Sequence, residues 1–82
     1  MILEYFPEDL NTLRQEIDNH PDLLVILSVQ QDKDVYIQLA EIAAYCGIVL
    51  DGTYTRADLI KLCGIMVNHL QAKRIKIIMP MH

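Results

Sequence analysis

The 82-residue chain has no tryptophan, one phenylalanine, three glycines, three prolines, two cysteines and a single serine. Ser28 lies inside the apolar run Leu23 to Val29, with no glycine-flanked elbow around it, so a serine nucleophile is not expected. Gly47, Gly52 and Gly64 are too dispersed for their amides to converge on a phosphate. Cys46 and Cys63 each fall on the apolar side of a helical pattern and form no Cys-x-x-Cys pair. They read as reduced core thiols of a cytosolic protein. His20, His69 and His82 are scattered, with no metal-ligand spacing. These shortages exclude the common hydrolase, nucleotide-loop and zinc motifs, and the expectation is a non-enzymatic protein without metal or other cofactor.

Long apolar runs are missing too. Leu23 to Val29 falls far short of the roughly 18 to 20 residues that cross a bilayer, so no membrane partner is expected. The opening MILEYFPED lacks a basic region and carries Glu4 in its apolar part, unlike a secretory signal. A cytoplasmic location follows as an expectation.

Apolar residues make up 52% of the chain and charged residues 22%, a balance that folds. A chain this short hides only about 60 to 65% of its unfolded surface, which means a single domain with a small core. So high an apolar fraction on so small a body leaves apolar surface for a partner, and self-association is the expectation. Net charge is −4 but unevenly spread. Through Tyr54 there are ten acids and two bases, net −8; from Thr55 there are five bases and one acid, net +4. Such a split bears on association rather than on fold.

Along the chain, Ile2 to Phe6 reads as a short edge strand ended by Pro7, which suits a first helical position with Glu8 and Asp9 beside it. Leu10, Leu13 and Ile17 give a surface helix one narrow apolar stripe. The run LLVILSV, bounded by Pro21-Asp22 and Gln30-Gln31-Asp32, predicts a central strand buried on both faces. Asp32 or Asp34 caps the next helix, whose Val35, Leu39, Ile42, Ala43 and Cys46 share one face. Gln38, Glu41 and Tyr45 form a polar strip opposite, Ile37, Ala40 and Ala44 widen the apolar side, and Gly47 supplies the stop.

Ile48 to Leu50 is too apolar for an exposed loop and is expected to tuck inward or form a short edge strand. Asp51-Gly52 signals a turn. Thr55 with Asp58 predicts a capping box opening a third helix with the stripe Leu59, Leu62, Cys63, Met66 and Leu70. Gly64 inside that helix costs about 1 kcal/mol relative to alanine and is explained either by a close backbone approach or as a tolerated weak spot. Ile75 to Met79 predicts a last strand closed by Pro80. The resulting class is α+β, three helices on a two- or three-stranded sheet in the order β-α-β-α-α-β, with a small mostly helical bundle as the alternative.

The spacing Ala43-x-x-x-Gly47-Ile48 resembles that of helix-turn-helix proteins. The connection from Gly47 to Tyr54, however, is about twice the turn that motif uses, and the chain is acidic overall. The leading expectation is therefore a protein–protein interaction module that binds itself as a homodimer or higher oligomer. Its candidate contact residues are Tyr45, Tyr54, Arg56, Lys61, Ile65, Lys73, Arg74 and Lys76. The alternative is a small nucleic-acid-binding regulator that uses the basic carboxyl-terminal segment.

Overall fold

The computed structural model describes residues 1–50, 52 and 54–79. The fold is α+β, in the expected order β-α-β-α-α-β. Its elements are β1 (Ile2–Tyr5), α1 (Leu10–Asn19), β2 (Leu24–Ser28), α2 (Val35–Tyr45), α3 (Arg56–Ala72) and β3 (Ile75–Ile78). The turn expected at Asp51, the stop at Pro80 and the terminal His82 lie outside the described residues.

Local chemistry sets the element boundaries. Pro7–Asp9 forms one turn of 3-10 helix before α1, where the Asp9 carboxylate accepts from the Phe6 amide at 3.2 Å. The first α-helix therefore starts three residues later than the proline suggests. Asp34 caps α2 by accepting from the Tyr36 and Ile37 amides. At the other end Gly47 takes φ +82°, while the Gly47 and Ile48 amides return to the carbonyls of Ala44 and Ala43, a Schellman ending. Thr55 and Asp58 form the expected box at α3: the Thr55 hydroxyl accepts from the Asp58 amide, and the Asp58 carboxylate accepts from the Thr55 amide. After α3 the chain turns through Arg74 at φ 64°, a position where glycine is the usual occupant.

The sheet has the order β1-β2-β3 and both pairings are parallel. Leu3, Val25 and Ile75 share one row, and Tyr5, Leu27 and Ile77 the next. These rows pack with Leu10 and Leu13 of α1, Leu39, Ile42 and Ala43 of α2, and Met66 and Leu70 of α3 into one core. Both crossovers step across the sheet in the same direction, so crossovers of uniform hand place all three helices on the same side. The other side carries no helix. The expectation that β2 is buried on both faces is therefore wrong: Val25 and Leu27 are buried, whereas Leu24 between the strands' open rows is 49% exposed.

Two further expectations change. Gln38, placed on the polar strip of α2, is buried, whereas Ile37, counted as apolar coverage, is exposed. The physical reason is the β2–α2 loop, which folds over the first turn of α2 and takes the Gln38 amide as its partner: the Gln30 amide donates to Gln38 Oε1, and Gln38 Nε2 donates to the Gln30 carbonyl. Ile48 and Leu50 tuck against the core as expected, without forming a strand, and Val49 points outward.

Candidate interaction surface

Alternation along the strands sends every second side chain to the uncovered side. Three rows cross it: Ile2 with Leu24; Glu4, Ile26 and Lys76; and Ser28 with Ile78. Ile2 is 63% exposed and Ile78 44%. The surface is thus an aliphatic field with an acid on one edge strand and a base on the other. Ser28 Oγ donates to Glu4 Oε2 at 2.8 Å, which holds the carboxylate against the face. The Lys76 ammonium makes no hydrogen bond or ion pair among the described residues, although its backbone is paired in the sheet. Beside it a depression of about 410 Å³ is lined by Ile2, Leu24, Ile26, Gln71, Arg74 and Lys76 among others. Nη1 of Arg74 is buried without a hydrogen-bond partner among the described residues.

The residues singled out from the sequence fall into three places. Tyr45 is half-buried at the end of α2, with the Arg14 guanidinium 4.8 Å from its ring centroid and the Lys73 ammonium 5.8 Å away. It links the middle of α1 to the carboxyl-terminal ends of α2 and α3, and burial pushes its phenol up from its ordinary pKa against the opposing pull of Arg14. Arg56 stacks on the Tyr36 ring at 4.5 Å, tying the start of α3 to the start of α2. Lys61 and Ile65, four residues apart, share the outer surface of α3, and Tyr54 is exposed in the loop before it. Only Arg74 and Lys76 lie at the open sheet. Lys73 faces Tyr45 instead, so the three bases do not form one patch.

Sequence reasoning missed Ile2, Glu4, Leu24, Ile26 and Ile78 as surface residues. A signal was present in β1, where Ile2 and Glu4 alternate with Leu3 and Tyr5, but the unbroken run of β2 conceals its own alternation.

Cys46 and Cys63 are both free and half-buried, and burial pushes each thiol up from its ordinary pKa. Thiolate character is thereby reduced. Among the described residues no group of three or more His, Cys, Asp or Glu side chains could hold a metal ion. Likewise, no described helix is long and apolar enough to cross a membrane. No protein-family model, curated protein or solved structure matches this chain.

Proposed function

We propose that this chain is a small cytosolic, non-enzymatic protein-interaction module that associates with itself through the open face of its sheet. One observation carries the reading. All-parallel sheets occur almost only with both faces covered, and here one face of a parallel sheet presents Ile2, Leu24 and Ile78 to solvent around a half-buried Ile26. Covering that face with a second copy removes apolar surface from water on both sides at once.

The size of the face fixes the strength expected. Three strands of four to five residues span roughly 15 Å by 15 Å at the usual strand spacing and rise, which places the contact at the small, reversible end of protein interfaces. Sedimentation velocity on a dilution series up to roughly 500 μM covers the range in which so small an interface fills. The expected result is a reversible dimer that Ile26→Asp, at the centre of the face, converts to a folded monomer. A monomer at every concentration, or a dimer indifferent to Ile26→Asp, overturns the reading.

A further inference from the structure

The charges on the open face determine how two copies meet on it. A closed dimer presents the same patch from both partners, so the patch must complement itself under a two-fold rotation. The middle row of this face runs Glu4, Ile26, Lys76 from one edge strand to the other, with the apolar residue in the centre. Two in-plane axes bring such faces together with their strands aligned. An axis perpendicular to the strands lays β1 on β1 and β3 on β3, setting glutamate on glutamate and lysine on lysine. An axis parallel to the strands lays β1 on β3, setting each glutamate on a lysine.

We infer that two copies stack their open sheet faces about a two-fold axis parallel to the strands, with Glu4 of each copy meeting the partner's Lys76. The inference rests on the self-association proposed above and deepens it. Ile26 packs on the partner's Ile26 at the axis. Leu24 and the partner's Leu24 meet one row away. Stacked sheets stand roughly 10 Å apart, a gap that an extended lysine and a glutamate span together. The glutamate is already held on the face by Ser28 Oγ, so less ordering remains to be done when the partner arrives. The axis runs along β2, so both charge pairs lie one strand spacing to either side of it, in the middle row, where sheet twist displaces facing residues least.

The ends of the row also explain a feature of the monomer. Lys76 is exposed on a strand that otherwise reads Ile-x-Ile-Ile, and it breaks that apolar pattern on the uncovered side alone. A lysine on an edge strand blocks sheet-edge pairing between copies. Here the same side chain selects one way of stacking over another, because like charges brought face to face repel.

The test is a set of charge reversals read by sedimentation equilibrium at low and moderate salt. Glu4→Lys alone and Lys76→Glu alone each leave two like-charged pairs, and each is expected to weaken the dimer about tenfold or more. The double reversal regenerates both pairs and is expected to return the dissociation constant to within about threefold of the starting chain. Mixing the two single variants is expected to give a heterodimer, which also establishes that both variants fold. Added salt is expected to shrink these differences. Single reversals without effect, or a double reversal no better than either single one, overturn the arrangement. A dimer that ignores the charges but is lost in Ile26→Asp overturns the axis and leaves the open-face reading standing. A dimer that survives Ile26→Asp, or a starting chain that never dimerises, overturns both.

Discussion

Replacing Gln38 tests how the sheet is joined to α2. Its side chain is only 6% exposed. Both of its bonds to the Gln30 backbone are 2.8 Å long, and its amide nitrogen also lies 3.5 Å from the Lys33 carbonyl and 3.3 Å from that of Asp34. Gln38→Ala strands both Gln30 groups. A buried polar group left without a partner costs about 1 to 3 kcal/mol, and because Gln30 is itself half-buried the lower end applies, about 2 kcal/mol for the pair. Gln38→Glu keeps the shape and is the sharper probe. The ionised carboxylate still accepts from the Gln30 amide, but it cannot donate, and it places a negative charge among three carbonyl oxygens. It is therefore expected to cost more than alanine at neutral pH, about 3 kcal/mol.

Protonation restores the missing donor. The introduced carboxyl is thus favoured in its neutral form by folding, with a folded-state pKa above the ordinary glutamate value of about 4.3. For an acid raised in this way, the deficit is smallest below that ordinary value and grows as pH rises through the folded-state pKa. Thermal unfolding followed by circular dichroism between about pH 3.5 and 8 reads this directly. At about 4 to 8 °C per kcal/mol for a domain of this size, Gln38→Glu melts roughly 10 to 25 °C below the starting chain at pH 7 and closes on it in acid. A variant that matches the starting chain at pH 7, or a deficit constant across the range, refutes the bonding scheme.

Three other substitutions probe α3. Thr55→Ala removes the cap and is expected to cost about 1 kcal/mol, read as a lower melting temperature. Thr55 holds the Asp58 carboxyl below its ordinary value of 3.8, through its amide first and its hydroxyl second. That stabilisation is present above the ordinary value and is lost as pH falls through the depressed one, so Asp58→Asn is expected to flatten the acid limb of the stability profile. Gly64 is exposed, and a Cβ added there would meet nothing within 4 Å. The close approach offered as one explanation for this glycine is therefore absent among the described residues. Gly64→Ala is expected to stabilise by about 1 kcal/mol, and a lower melting temperature contradicts that assignment.

Several elements were legible from local chemistry because the interactions that form them span few residues. Asp34, Thr55 with Asp58, and Gly47 each act within one turn of their helix, so a short stretch of sequence contains the whole cause. The stripe Leu59, Met66, Leu70 is equally local, since a helix fixes which residues share a face. Gln38 was misplaced for the opposite reason. Its partner is the Gln30 backbone, eight residues back in a loop whose path no periodicity encodes. Tyr45 was read as a contact residue because an aromatic ring opposite an apolar stripe looks exposed. The arrival of Arg14 and Lys73 at its ring depends on how three helices dock.

The order of elements, their caps and the central place of Leu23 to Val29 could be read directly from the residues, since propensity, capping and apolar periodicity act over a few positions. That the strands run parallel in the order β1-β2-β3 with every helix on one side emerges from how distant segments dock. An unbroken apolar strand is the same string whether one or two of its faces are covered. Covering depends on the direction in which each crossover steps across the sheet, and that direction left Leu24 and Ile26, expected to be buried, on the open face beside Ile2 and Ile78.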